Sequence, residues 1–246
     1  MDRKTTAIIV AAGVGKRMNS TVKKQYMEIG GYPVLYYTIS AFEKSNVDRI
    51  VIVTGKDEIE YVENEIVAKH MFKKVDCVVA GGRERSDSVY EGLKNTDDGY
   101  VLIHDGVRML VTPDLINKCI ETVVADDACV AAVAVKDTIK ECMCPEDENP
   151  SNPDSARQNK VYIAKTLDRS VLYQIQTPQC FKTELIKDAF NKMHEIPEGS
   201  RPVITDDAMP VELYTGHRIT IVEGDYRNIK ITTPEDLELA RFWLEH

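Results

Sequence analysis

The chain has no apolar run near the roughly 18–20 residues that cross a bilayer. Its opening, "MDRKTTAIIVAAG", carries too short an apolar stretch for a secretory signal. Cytoplasm is the expected compartment. Positive charge is in deficit: the formal net charge is −9 over 246 residues, which argues against a general nucleic-acid binder or a membrane-surface protein. A small anionic substrate stays open, because a site needs only locally gathered Lys and Arg. Ligand-type spacings are missing as well. The cysteines at 77, 119, 129, 142, 144 and 180 are scattered, the Cys142/Cys144 pair has no further ligand nearby, and the five histidines are isolated. Reduced thiols without a functional role are expected, since a chain of this size needs no disulfide staples. No internal repeat is present.

Hydrophobic residues make up 43% of the chain, ample for a sizeable core. Near-continuous Val/Ile runs, "TAIIVA" (6–11), "RIVIVTG" (49–55), "KVDCVVAG" (74–81), "YVLIHDG" (100–106) and "CVAAVAV" (129–135), read as strands buried on both faces. Helical patterns lie between them, over 33–44, 58–70, 85–95 and 112–126, the last opening on Thr112 as N-cap with Pro113 at the first helical position. This alternation predicts an α/β fold: a single Rossmann-like, doubly wound, mostly parallel sheet with helices on both faces. Residues 136–170 break the pattern. They are polar and proline-containing with β-like ends, "DTIKEC" and "KVYIAKTL", and predict a projecting β-arm on one domain spanning 1–246. Beyond the arm, helices are expected over 183–195 and 205–216 and strands at 218–224 and 228–233. A last helix follows, capped by Thr233, with Leu237, Ala240, Trp243 and Leu244 on one apolar face and Trp243 in the core.

Two phosphate-loop signatures are incomplete. After the first strand the chain reads "AAGVGKRMNSTVKKQY". Arg17 stands where a P-loop needs Ser or Thr, and the glycine five places before Gly15 is Val10. Met18 replaces the third glycine of a dinucleotide fingerprint. What remains is a strand followed by small residues, Ala11, Ala12, Gly13 and Gly15, through which backbone can approach a ligand closely. Arg17 and Lys24 add fixed positive charge. The arrangement can hold a triphosphate; a tight turn with solvated basic residues is the plainer alternative.

"AAGVGKRM" resembles the A-A-G-x-G-x-R-M loop of nucleotidyltransferases that join a sugar or polyol phosphate to a nucleoside triphosphate. With "KKQY" (23–26), "GGRERSDSVYEGL" (81–93), "HDGVR" (104–108), "VKDTIK" (135–140), "TLDRSVLYQIQTPQCF" (166–181), "ITDDA" (204–208) and "NIKITTPEDLELA" (228–240), the chain is similar along nearly its whole length to the 2-C-methyl-D-erythritol 4-phosphate cytidylyltransferases of the non-mevalonate isoprenoid pathway. Ribitol-5-phosphate cytidylyltransferases share the loop, H-D-x-x-R and T-P-Q. The R-S-D-S-V helix start and the D-R-x-x-L-Y-x-x-Q-T-P-Q run look more like the methylerythritol branch.

The resemblance implies a sheet of the nucleotide-diphospho-sugar transferase type and attack of a sugar-phosphate oxygen on the α-phosphorus of CTP. Arg17, Lys24 and Lys230 would be the catalytic cations. Ala11, Ala12, Gly13 and Gly15 would contact CTP through backbone. Gly82, Arg83 and Ser88 would read cytosine, Arg83 through its backbone because some relatives carry an acid there. Asp105 would bind Mg²⁺ or another divalent cation, with Arg108 beside the ribose or a phosphate. Thr138 and Arg169 of the arm, with Thr177, would hold the acceptor in a homodimer whose arm completes the partner's site. A nucleotide-binding protein without catalysis is the reading from another class. The chain departs from the family at Val107 and Met109, where H-D-A-A-R-P is usual, at Arg227, and in a longer arm tip over 142–159.

Overall fold

The computed structural model describes residues 4–13, 18, 22–143 and 161–246. The chain divides into two compact units, one of Met1–Ala132 with Ile175–His246 and one of Val133–Gln174.

The first unit is built on a seven-stranded sheet. Strands β1 (Thr5–Val10), β4 (Arg49–Thr54), β5 (Val75–Ala80), β6 (Tyr100–Asp105), β7 (Ala128–Ala134), β10 (Tyr173–Lys182) and β11 (Thr220–Glu223) lie in the order β11-β7-β10-β6-β1-β4-β5. β1 pairs in parallel with both β4 and β6, β4 with β5, and β11 with β7, whereas β10 runs antiparallel to β6. The strands expected at 6–11, 49–55, 74–81, 100–106, 129–135 and 218–224 are thus present within a residue or two. A two-residue hairpin, β2 (Glu28–Ile29) to β3 (Tyr32–Pro33), turns through Gly30 and Gly31 with φ of 57° and 84°, a left-handed pair that glycine adopts without strain.

Helices cover both faces. α1 (Val34–Lys44) and α4 (Pro113–Asp126) pack on one side with Ile9, Ile50 and Ile52; α3 (Arg85–Leu93), α5 (Thr183–Glu195) and α6 (Ala208–Thr215) pack on the other with Ile8, Val101 and Ile103. Alternate residues of one strand therefore feed opposite cores, which is why these strands read as continuous apolar runs. α2 (Ile59–Tyr61) continues as a π-helical stretch, Val62–Ala68, whose Val62 and Ile66 are buried. Thr112 caps α4 by accepting from Leu115 N at 3.2 Å, with Pro113 next, and Thr233 caps α7 (Pro234–Glu245) by accepting from Asp236 N at 3.4 Å. Trp243 is only half-buried, not a core residue: Arg227 lies over its ring at 5.9 Å and donates to its carbonyl at 2.6 Å.

The expected strand at 228–233 is absent. Its amides bond elsewhere: Ile231 N to Val107 O at 3.0 Å, Thr232 N and Thr233 N to Asp236 Oδ2 at 2.8 and 2.9 Å. The β-branched residues of "NIKITT" fill a packing site instead of a ladder. Ile231 sits in a small core with Met18, Val107 and Met109, which gives the two family-atypical residues a packing role.

In the second unit, β8 (Lys140–Met143) pairs antiparallel with β9 (Tyr162–Thr166) from Lys140↔Thr166, with a register shift after Glu141. All nine strand positions are exposed. A 3₁₀ turn, Arg169–Val171, is capped by Asp168 Oδ1 accepting from Ser170 N at 3.0 Å. Most of the long arm tip, 144–160, lies outside the described residues, as does Cys144; the described cysteines are all free thiols.

Candidate active site

The chain visits β4 and β5 on one side of β1 and then returns to place β6 on its other side. That reversal opens a crevice at the carboxyl ends of the strands, where ligands of open α/β sheets bind. A cavity of about 400 Å³ occupies it, lined by Val10–Gly13 at the end of β1 and beyond, Gly82–Arg85 and Ser88 around the start of α3, Asp105 at the end of β6, and Lys24, Gln25, Val107 and Lys230. Among the lining residues four cationic side chains face two carboxylates, a local excess of positive charge in a chain of net charge −9.

The loop after β1 is fixed from behind. Gln25, 1% exposed, donates through Nε2 to Ala11 O at 2.6 Å and Gly13 O at 3.0 Å. The neighbouring Lys24 therefore enters the cavity wall from a short 3₁₀ turn, Lys24–Tyr26, whose next residue is anchored to the loop. Its Nζ donates to Ile231 O at 2.9 Å. Tyr26 and Glu58 brace the turn: the Tyr26 hydroxyl lies 2.6 Å from Thr54 Oγ1 and donates to Glu58 Oε2 at 3.2 Å, and Lys23 pairs with Glu58 at 2.5 Å. Arg17 and Gly15 lie outside the described residues.

The opposite wall approaches closely. A Cβ on Gly81 would stand 2.6 Å from Ala12 Cβ and 2.7 Å from Ser88 Oγ, so only glycine lets the two loops meet. Ser88 Oγ accepts from Gly82 N at 3.2 Å and donates to Glu84 O at 3.0 Å. Its hydroxyl proton is engaged inside the loop, leaving the oxygen to accept.

Asp105 is the hub. It is 6% exposed, and its Oδ1 accepts from Arg85 Nε at 2.9 Å. Oδ2 pairs with Lys230 Nζ at 2.9 Å and faces Arg108 Nε at 3.6 Å. Burial alone would raise the Asp105 carboxyl, but the charges of Arg85, Lys230 and Arg108 outweigh it and hold the group well below the usual carboxylate range. Asp105 is ionised at neutral pH. Burial lowers the Arg108 guanidinium, opposed by Asp105, and Arg108 Nη1 donates to Asn228 O at 2.8 Å. Asn228, fully buried, donates to Thr177 O at 2.9 Å and so fixes the segment that carries Lys230.

Thr177 stands just before a cis peptide bond to Pro178 and is 3% exposed. Its Oγ1 accepts from Asp105 N at 3.1 Å and lies 3.0 Å from His104 Nδ1. Thr138 and Arg169 belong to the second unit, where both are exposed and Arg169 Nη1 donates to Lys136 O at 2.7 Å.

Sequence reasoning missed four participants: Gln25, Arg85, His104 and Asp207. Arg85 and Asp207 stood unassigned inside quoted blocks, "GGRERSDS" and "ITDDA". Their pairing spans 122 residues, and no local periodicity signals it.

The sequence profile of the 2-C-methyl-D-erythritol 4-phosphate cytidylyltransferase (IspD) family matches residues 5–246. The chain belongs to this family. It is 48% identical over 242 residues to the 2-C-methyl-D-erythritol 4-phosphate cytidylyltransferase of Lachnospira eligens, covering 98% of this chain and 99% of that one. It is 46% identical over 238 residues to the Lachnoclostridium phytofermentans protein of the same name, covering 96% and 94%. Among solved structures, 4-diphosphocytidyl-2C-methyl-D-erythritol synthase from Anaerococcus prevotii superposes with a TM-score of 0.80 at 33% identity, over 99% of this chain and 97% of that one. The expected α/β transferase fold is therefore present, and the chain is a cytidylyltransferase by family.

Proposed function

We propose that the protein transfers CMP from CTP to 2-C-methyl-D-erythritol 4-phosphate and releases pyrophosphate, a step toward isoprenoid precursors. The observation that carries the reading is the cavity itself: Lys24 and Lys230 face a small-residue loop at the strand ends, in a chain that aligns with cytidylyltransferases along 98% of its length. A phosphate oxygen of the acceptor forms a bond to the α-phosphorus of CTP as the bond to the bridging oxygen of pyrophosphate breaks. The pyrophosphate leaves with that electron pair. Two polyanions must meet, so catalysis rests on positioning and charge neutralisation. Lys24, with Arg17 from the same loop, would hold the triphosphate and stabilise charge on the α-phosphoryl oxygens; Lys230 would approach the same phosphate. Gly82, Arg83 and Ser88 supply backbone and hydroxyl groups for the cytosine edge.

The same proposal includes a magnesium ion, carried chiefly by the substrate phosphates, with Asp105 as the carboxylate that would meet it. Asp105 is an ionised carboxylate on the cavity wall, and no cluster of three metal-ligating side chains exists among the described residues. Mg²⁺ bound by one carboxylate plus substrate phosphates needs no such cluster. When bound, the ion would neutralise phosphate charge.

A homodimer is supported by the arm, whose exposed Val161, Tyr162, Ile163 and Val171 are between 51% and 71% accessible, an apolar surface that calls for cover. Thr138 and Arg169 would then serve the partner's acceptor site, with Thr177 behind Asp105. Among the described residues no helix is long and apolar enough to cross a membrane, and CTP as substrate is consistent with cytoplasm. The test is incubation with CTP, Mg²⁺ and 2-C-methyl-D-erythritol 4-phosphate, followed by ³¹P NMR. Appearance of a cytidine diphosphate diester with equimolar pyrophosphate is expected; CTP binding without turnover on either this acceptor or ribitol 5-phosphate would favour a non-catalytic role.

A further inference from the structure

The loop after β1 has spare donors and few spare acceptors. Val10 O accepts from Gly106 N at 2.8 Å, and Ala11 N donates to Val53 O at 2.7 Å. Gln25 Nε2 occupies the next acceptors, Ala11 O at 2.6 Å and Gly13 O at 3.0 Å. Ala12 N and Gly13 N, by contrast, meet no acceptor among the described residues. Backbone N–H and C=O groups are obligatory hydrogen-bonding groups, so a loop with its carbonyls taken and its N–H groups left over suits an anion. The space beside it agrees. A Cβ built on Gly13 would have nothing within 4 Å among the described residues, and Gly13 has no positive φ. Neither packing nor backbone conformation calls for glycine there; room for a ligand does.

What sets the sense of these peptides is Gln25. A trans peptide is planar, so its C=O and N–H point in opposite directions. Holding Ala11 O on one side sends the Ala12 N–H to the other. Small residues offer little resistance to turning such a peptide over, so the loop's own sequence does not fix its orientation. Both atoms that face the Gln25 amide are carbonyl oxygens, which can only accept; the amide therefore presents its NH₂, and each hydrogen has a partner. At 1% exposure the side chain is shut away from water that could replace those bonds. Gln25 also follows Lys24 in the same 3₁₀ turn, where Lys24 Nζ donates to Ile231 O at 2.9 Å. One turn thus sets both the loop's amides and the cation beside them.

We propose that Gln25 is a positioning residue for the triphosphate: it draws the carbonyls of Ala11 and Gly13 back from the cavity and so commits the loop's N–H groups to phosphate oxygens. It touches no substrate atom in this role. The inference rests on the proposed CTP reading for its ligand, and on these bonds for the loop's orientation.

Two variants test it, each titrated calorimetrically with CTP and with CMP in the presence of Mg²⁺ without acceptor, and each melted thermally. Gln25→Met matches the side chain's length and carries no donor. Gln25→Asn keeps the donors but is one methylene short of spanning both carbonyls. The loop's amides serve phosphates and not the base, so CTP should lose far more affinity than CMP. Gln25→Met should raise the Kd for CTP by roughly 10–100-fold, the scale of one or two misdirected hydrogen bonds to a charged group. Gln25→Asn should raise it less, and in both variants the preference for CTP over CMP should fall. A glutamine that only satisfies buried carbonyls would lower the melting temperature and leave that preference at the parent's value, a result that would overturn the inference. If Gln25→Met does not fold, Gln25→Asn carries the same comparison. A parent protein that binds no CTP would overturn the proposed reading and the inference with it; a parent that binds CTP, with variants that match its preference, would overturn the inference alone.

Discussion

His104, in β6 beside the strand that bears the cis proline, is fully buried. Burial pushes its imidazole down to about 3, against the favourable charge of Asp105. Arg108 O can only accept, so His104 Nε2, 3.3 Å away, carries the proton. Nδ1 then accepts from the Thr177 hydroxyl, which in turn accepts from Asp105 N. The Thr177 proton is thus committed inward. Toward an acceptor substrate this residue offers a lone pair or its position, not a hydrogen. The lowered pKa also sets a pH dependence. The unfolded chain takes up a proton below its ordinary value of 6.5, the folded one only near 3, so stability present above pH 6.5 is lost as pH falls through that window. Between pH 7.5 and 5.0 this residue should remove about 2 kcal/mol. Urea unfolding at the two pH values reads the slope, and His104→Asn should flatten it; an unchanged slope would place the effect elsewhere. At Lys24 the expected effect is on turnover. Lys24→Ala should lower kcat by about 10²–10³-fold, the usual loss for one group that stabilises a charged transition state, with the melting temperature retained. Near-normal kcat would remove Lys24 from the chemistry.

At the scale of elements, the close approach of two loops decides the cavity's shape. Gly81→Ala would drive the β5–α3 turn away from Ala12 and should raise the KM for CTP by about tenfold, some 1.4 kcal/mol, while Thr233→Ala should cost about 1 kcal/mol of stability through the lost α7 cap and leave KM alone. Steady-state kinetics and melting curves separate the two. The parallel strands and capped helices were legible because each carries its own period and end signals, Thr112-Pro113 and Thr233-Pro234 most clearly. β10 was not read as a strand. "YQIQTPQCFK" mixes a proline and two glutamines into its buried run, and Gln176 and Gln179 are tolerated there only because each has tertiary hydrogen-bond partners. The reverse error at 228–233 has the same root: β-branched residues were present, but the amides found loop and side-chain acceptors. Lys24, Asp105 and Lys230 could be named from motifs; that Asp105 is shared among three cations could not, because Lys230 and Arg85 reach it only once the sheet has formed.

The whole molecule combines a nucleotide crevice at the reversal of a doubly wound sheet with an arm unit whose strand pair is exposed at every position. If arms complete partner sites, a hybrid of one Lys24→Ala subunit and one Arg169→Ala subunit carries both lesions in one site and leaves the other site intact. Mixing the two inactive variants under conditions that exchange subunits should restore activity, up to about half of the hybrid's sites by simple counting of intact halves. Hybrids confirmed by mass spectrometry that stay inactive would contradict a shared site. The alternative acceptor weighed from the sequence is ribitol 5-phosphate, and the central claim concerns the choice between these acceptors. The direct measurement is a competition: one tube with CTP, Mg²⁺ and equal concentrations of 2-C-methyl-D-erythritol 4-phosphate and ribitol 5-phosphate, with both products quantified by mass spectrometry. The account predicts that the methylerythritol product forms in large excess, and a predominance of CDP-ribitol would contradict it.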